Sequence, residues 1–113
     1  AAEAGAVEAV VAAMRAHGGS ADVQEWACSA LLCISCGISA NRVRAAEAGA
    51  VEAVVAAMRA HGGSADVQEW ACMALLSISI DIPANRARAA EAGAVEAVVA
   101  AMRAHGGAAD VQE

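Results

Sequence analysis

The chain has 113 residues, a length that suits a single domain. Its 13 acidic residues outnumber its seven basic ones, and the formal net charge is −6 at pH 7. This balance argues against nucleic acid and against an anionic membrane surface as partners, because both attract basic patches. No uncharged apolar run approaches the length of a membrane-spanning helix and no signal peptide precedes Ala1, so we expect a soluble protein, expressed as a recombinant chain in a reducing cytoplasm.

A repeat of 44 residues organises the sequence. Residues 1–28 recur unchanged at 45–72, and residues 89–113 repeat the first 25 positions with one change, Ala108 in place of Ser20. Repeats of this length are typical of solenoids, in which each unit buries its apolar face on its neighbours. Copies this similar favour a chain engineered from a consensus repeat, and the alternative is a very recent natural duplication. We expect one repeat domain over residues 1–113, with units at 1–40, 41–84 and, truncated, 85–113.

Each unit predicts three helices in an all-α fold. A short first helix ends at Gly49, and Asn41 or Asn85 is the expected cap at its start. The second helix, "AVEAVVAAMRAH", has valines and a methionine at i, i+3, i+4 and i+7 and ends at a glycine pair. Ser64 or Asp66 is expected to cap a long third helix, which a loop, "DIPAN", follows. The expected helices lie near residues 6–17, 21–36, 42–48, 50–61, 65–80, 86–92 and 94–105.

These units resemble the armadillo repeat, most specifically in "NRxRAAEAGAVEAVVAAM" and "EWACxALLxIS". The resemblance covers the whole chain and implies a right-handed α-solenoid. In that family, extended peptides bind along a concave groove that the third helices line. The family often has a tryptophan and a peptide-binding asparagine on the third helix. Here Ser29 and Met73 occupy the tryptophan position, and Cys33 and Ser77 occupy the asparagine position.

The first two units differ at only six positions, and four of these lie on one face of the third helix. At about 100° per residue, positions 29/73, 33/77, 36/80 and 37/81 fall within roughly a quarter-turn of one another. The expected core residues point elsewhere (Val23, Ala27, Ala30, Leu31, Ile34 and Ile38). Either adjacent repeats cover the variable face or a partner does, and differences confined to one face favour an interface. The candidate interface residues are Trp26, Ser29, Leu32, Cys33, Cys36, Trp70, Met73, Leu76, Ser77 and Ile80.

A second apolar surface is expected on the last helix of the sequence. Because the third unit is truncated, Val95, Val98, Val99 and Met102 are expected to lack the third helix that covers their equivalents, and they form a possible end-to-end contact.

Side chains capable of catalysis or metal binding form no convincing pattern. The "CISC" of Cys33 and Cys36 lies near a helix C-terminus, whereas redox motifs of this spacing place a thiolate at a helix N-terminus. No second cysteine pair completes a zinc site. We therefore expect no enzymatic activity, no metal and no cofactor. Histidines recur one repeat apart, at positions 17, 61 and 105, and resemble helix C-terminal residues.

Two functions remain in contention. The first is a scaffold that self-assembles through its apolar faces as a homo-oligomer, with a two-fold dimer favoured because closed dimers are the commonest soluble assemblies. The alternative is a module that binds a peptide or another protein on the third-helix surface.

Overall fold

The computed structural model describes residues 2–80 and 82–105, apart from the side chains of residues 2–4. Within these ranges the chain forms seven α-helices and no strand, which confirms the all-α prediction. None of these helices is long and apolar enough to cross a membrane. The helices are α1 (Ala2–Ala16), α2 (Ala21–Ser35), α3 (Ser39–Glu47), α4 (Ala50–Ala60), α5 (Ala65–Ser79), α6 (Pro83–Glu91) and α7 (Ala94–Ala104).

Serine caps begin the two third helices, α2 and α5. The Oγ of Ser20 accepts a hydrogen bond from the Val23 amide at 3.2 Å, and the Oγ of Ser64 accepts one from the Val67 amide at 3.3 Å. Of the two predicted candidates, Ser64 is therefore the cap. Asp66 lies in the first turn instead, where a carboxylate suits the positive end of the helix dipole.

Glycine separates the short helices from those that follow. Gly49 has a φ of 89°, a left-handed conformation that ends α3 before α4 begins. The expectation that α1 begins near residue 6 was wrong, because α1 starts at Ala2 and continues through Gly5. At Gly49 the Arg15 side chain lies against the glycine. At Gly5, no atom outside the helix lies within 4 Å of the position that a Cβ would occupy.

The prediction that Asn41 and Asn85 cap α3 and α6 was wrong. These helices begin at Ser39 and Pro83, so both asparagines lie inside them, and both are buried. Proline suits the first helical turn, where an amide hydrogen has no partner within the helix. Each asparagine instead donates its Nδ2 proton to a carbonyl near the end of the preceding long helix. Asn41 bonds the Ile34 oxygen at 2.8 Å.

Ile38 does not belong to the core as predicted. It is the residue that precedes α3, and its side chain is 50% exposed. The angular estimate placed Ile38 on the core side because it extended α2 beyond its observed end at Ser35, and the backbone turns at Cys36 and Gly37.

Helices at equivalent positions of successive units lie side by side. The helix α2 packs on α5, α3 contacts α6, and α4 contacts both α1 and α7. Valines dominate the core that the second helices contribute: Val7 and Val11 in α1 are buried, as are Val51 and Val55 in α4.

Buried glutamines connect each second helix to the third helix that follows it. Gln68 Nε2 donates to the carbonyl oxygens of Met58 and His61, each at 2.9 Å, and Gln24 makes the equivalent pair of bonds in the first unit. The histidines join one unit to the next, since His61 Nε2 lies 2.9 Å from the Gly18 oxygen. Among the described residues, no buried side-chain nitrogen or oxygen lacks a hydrogen-bond partner.

Candidate interaction surface

The interface residues predicted on the two third helices, apart from Cys33, line two clefts between α2 and α5, and we call the surface of all ten the α2–α5 face. Its large side chains remain open to solvent: Trp26 is 59% exposed, Leu76 66%, and Met73 and Ile80 42% each. Cys33 and Cys36 are also exposed. The other predicted members are half-buried: Ser29, Leu32, Trp70 and Ser77.

An apolar groove lies between α2 and α5, at the C-terminal halves of the two helices. The groove is a cleft of about 260 Å³. Arg42 is the charged residue among the described residues that line it, and its Nε donates to the Ser35 carbonyl oxygen at 3.2 Å. The remaining walls are apolar or small, namely Leu32, Cys36, Met73, Leu76, Ser77 and Ile80.

A hydrogen bond between two serines joins α2 to α5 at the floor of the groove. Ser35 Oγ lies 2.7 Å from Ser77 Oγ and 2.8 Å from the Leu31 carbonyl oxygen of its own helix. Since the Leu31 oxygen can only accept, Ser35 donates to it and accepts from Ser77. Ser77 occupies the variable position that Cys33 holds in α2, so this bond joins the two copies at a place where their sequences differ.

Towards the start of the two helices, an acidic and aromatic cleft of about 340 Å³ opens beside the groove. Trp26 and Trp70 contribute its aromatic surface, and Asp22 and Glu25 add carboxylates. Trp26 extends into solvent, whereas Trp70 packs against the core. The arrangement can hold a cationic group against a tryptophan ring within reach of two carboxylates.

The second predicted surface, on α7, forms another cleft with α5. This α5–α7 cleft has a volume of about 380 Å³ and lies between Leu76 on one side and Val95, Val98 and Val99 on the other. Leu76 borders both this cleft and the groove of the α2–α5 face. The two surfaces that the sequence analysis treated as alternatives are therefore adjacent and share one leucine.

The apolar stripe of α7 is far more exposed than the identical stripe of α4. Val95 is 62% exposed, Val99 39% and Met102 42%, and Val98 is half-buried against the core. Their equivalents in α4 are almost fully buried, at 0% for Val51 and 2% for Val55. Among the described helices, α4 packs on α5, its third helix, whereas α7 contacts only α4, α5 and α6.

All four cysteines are free thiols. Cys33 lies in the last turn of α2 and Cys36 caps its C-terminus, so the pair sits at the negative end of the helix dipole. Burial raises the pKa of Cys28 from its ordinary value of 9.0 to about 12, and the neighbouring Cys72 adds a smaller contribution in the same direction. In the described part of the chain, no three His, Cys, Asp or Glu side chains come together to hold a metal ion.

Sequence reasoning missed the charged residues of the site. Arg42 lies on α3 and reaches the groove because α3 turns back over the end of α2, a geometry that helical periodicity does not describe. Asp22 and Glu25 border the tryptophan cleft, whereas Asp66, the equivalent of Asp22 in the second unit, was predicted only as a possible helix cap. Asp22 lies four residues before Trp26, a spacing at which helical side chains are neighbours, and this was the available signal. Comparisons with family models, curated proteins and solved structures found no match for this chain.

Proposed function

We propose that this protein is a non-catalytic helical-repeat scaffold that self-associates through the α2–α5 face, as a two-fold dimer. The observation that carries the proposal is the exposure of Trp26, Met73, Leu76 and Ile80 along one surface. Contiguous exposed apolar side chains on a soluble chain are typical of interaction sites.

The α2–α5 face offers both a protruding side chain and a cleft to receive one. Leu76 stands 66% exposed at the rim of a groove of about 260 Å³. A surface with a projection beside a hole is complementary to a copy of itself rotated by a two-fold axis. Complete burial of one large apolar side chain contributes about 1.5–3 kcal/mol, so the four exposed ones together contribute an amount within the range of the association cost, about 4–15 kcal/mol.

The scaffold itself is proposed to be a right-handed armadillo-like solenoid with a period of 44 residues. The supporting observations are the repeat in the sequence, the equal lengths of α2 and α5, and the contacts between helices at equivalent positions of successive units. The handedness comes from the armadillo resemblance.

Charge substitutions on the α2–α5 face test the dimer. Met73→Glu combined with Ile80→Glu should convert the protein into a helical monomer in sedimentation equilibrium, because both side chains are exposed and their replacement buries a carboxylate only in the dimer. Val43→Glu is the matched control, since Val43 is 40% exposed on α3 and does not line the groove. If the dimer survives the double substitution but dissociates with Val95→Glu, the interface lies on α7 and not on the α2–α5 face.

The second candidate is a peptide-binding module, and the tryptophan cleft favours it. Its carboxylates and indole rings suit a cationic side chain, while the apolar groove beyond suits neighbouring apolar residues of the same peptide. If this candidate holds, the parent is a monomer, and Trp26→Ala with Glu25→Gln weakens binding of an arginine-containing apolar peptide. A peptide in which norleucine replaces arginine is the control, and equal binding of both peptides would exclude recognition by this cleft.

A further inference from the structure

Each third helix has a face on which the next third helix sits, which we call the receiving face. In α2 this face is closed by α5, so that Cys28 and Ser35 have no exposed area. In α5 the same face is open, with Leu76 66% exposed. The receiving face comprises Cys28, Leu32 and Ser35 in α2, and Cys72, Leu76 and Ser79 in α5.

The opposite side of each third helix is the docking face. At about 100° per residue it lies roughly 180° around the helix from the receiving face. The docking face of α5 rests on α2, and its Val67, Ala74 and Ile78 are fully buried, whereas their equivalents in α2 are half-buried. Apart from its tryptophan, this face consists of small residues and of β-branched or other aliphatic residues. It comprises Val67, Trp70, Ala74 and Ile78 in α5, and Val23, Trp26, Ala30 and Ile34 in α2.

The open receiving face of α5 forms one wall of the α5–α7 cleft, and the exposed stripe of α7 forms the other. In the second unit, the corresponding stripe of α4 is buried where α5 packs on it. A third helix therefore covers two surfaces at once in this fold: the stripe of its own second helix and the receiving face of the previous third helix. Within residues 2–80 and 82–105, no third helix covers either of these two surfaces at the α5–α7 cleft.

We infer that the α5–α7 cleft binds an α-helix whose docking face has the sequence that α2 and α5 share. The chain itself shows the required fit, because α5 already occupies the equivalent position on α2 and α4. The occupant would place its docking face on Leu76 and its flank on Val95 and Val99. This inference does not depend on the proposed dimer, which uses the α2–α5 face and not the α5–α7 cleft.

A lone third helix fits this position, whereas a whole folded copy does not. In this chain, docking α5 on α2 brings α4, the partner of α5, against α1. A second copy that placed its α2 on α5 in the same way would bring its own α1 against α4. That position is already held by α7, which contacts α4. The occupant is therefore a third helix that is not packed on a second helix of its own chain.

The test uses a fluorescent synthetic peptide of residues 64–80, under reducing conditions, added to the full chain carrying Met73→Glu and Ile80→Glu so that the proposed dimer does not interfere. We expect saturable binding by fluorescence anisotropy and a gain in helical circular dichroism, because an isolated helix of this length is only marginally stable in water. Val95→Glu or Val99→Glu in the chain should weaken binding about tenfold or more, and Val43→Glu should leave it unchanged.

One substitution should have opposite effects in the two partners. Leu76→Glu in the chain places a charge on the receiving face and should abolish binding, whereas Leu76→Glu in the peptide lies on the side turned away from the cleft and should be tolerated. Ile78→Glu in the peptide lies on its docking face and should prevent binding. Absence of binding would overturn the inference, whatever the oligomeric state of the parent. A second result would also overturn the inference: binding that persists with Val95→Glu and Val99→Glu in the chain but is lost with Leu76→Glu in the peptide. That result would place the peptide on α2.

Discussion

Gly49 is the residue that separates α3 from α4, and two features make glycine necessary there. Its φ of 89° lies in the left-handed region, and an added Cβ would stand 2.5 Å from a guanidinium nitrogen of Arg15. Gly93 repeats the arrangement with Arg59. The arginine of one second helix thus closes over the break that precedes the next, and this contact links adjacent units through a single residue.

Gly49→Ala should therefore destabilise the protein, whereas Gly62→Ala should not. The left-handed conformation costs alanine about 1–2 kcal/mol, and displacement of Arg15 adds to this. Gly62 has no positive φ and no atom near its Cβ position, so alanine there should be neutral or stabilise by about 0.4–1 kcal/mol. Urea unfolding followed by circular dichroism measures both. Equal midpoints for the two variants would show that the break at Gly49 is not strained by a side chain.

Cys28 differs from the other cysteines in its surroundings. It has no exposed area, and its burial beside Cys72 raises its pKa to about 12. Burial also raises the pKa of the half-buried Cys72. Well below pH 9 both thiols are protonated in the folded and the unfolded chain alike. Between pH 9 and 12 the unfolded chain releases these protons while folded Cys28 retains its own, so the free energy of unfolding falls as pH rises.

Alkylation should reveal the same difference. With iodoacetamide at pH 8, peptide mass spectrometry of the Met73→Glu, Ile80→Glu variant, whose α2–α5 face is not covered by a second copy, should find the exposed Cys33 and Cys36 modified first. Cys72 should react more slowly, and Cys28 only at the rate of unfolding, because the thiolate is the reactive form and burial keeps Cys28 protonated. A denatured sample, in which all four react alike, is the control. Early modification of Cys28 would mean that α5 does not cover it.

At the scale of elements, α6 is held by Asn85. Its Nδ2 donates to the Ile78 oxygen of α5 at 2.9 Å and to the Arg42 oxygen of α3 at 3.0 Å. One buried side chain thus connects three helices from two units. Asn41 holds α3 to the end of α2 in a similar way.

Asn85→Ala should cost about 1–3 kcal/mol of stability, because it removes the donor from one buried and one partly buried carbonyl group. Arg86→Ala, on the exposed side of the same helix, is the control and should change stability by less than about 0.5 kcal/mol. Thermal and urea unfolding give the two differences. A loss no greater than that of the control would mean that water replaces the amide at both carbonyls.

The sequence predicted the elements well where local chemistry determines them. The cap at Ser64, the break at Gly49 and the type of every helix follow from capping, left-handed glycine and hydrophobic periodicity, all of which act within a few residues. The asparagines were misassigned because their partners lie on other helices. Gln24 and Gln68 were overlooked for the same reason, since a glutamine in a first turn has no local feature that predicts burial.

At the scale of the whole molecule, the variable face was predictable and its shape was not. A helical projection places Met73, Ser77 and Ile80 together, and the structure brings them to one groove. The same projection cannot show that Leu76 separates this groove from the α5–α7 cleft, because that depends on how α7 packs against α5. The charged rim around Arg42 depends likewise on the path of α3.

In the proposed dimer, the α2–α5 face joins two copies of this chain. Sedimentation equilibrium of the parent protein, over concentrations from low micromolar to several hundred micromolar, distinguishes this dimer from a monomer. We expect a single reversible equilibrium whose upper limit is twice the chain mass of 11.1 kDa. A mass that stays at 11.1 kDa across the whole range would contradict self-association and leave the peptide-binding module as the function of this face.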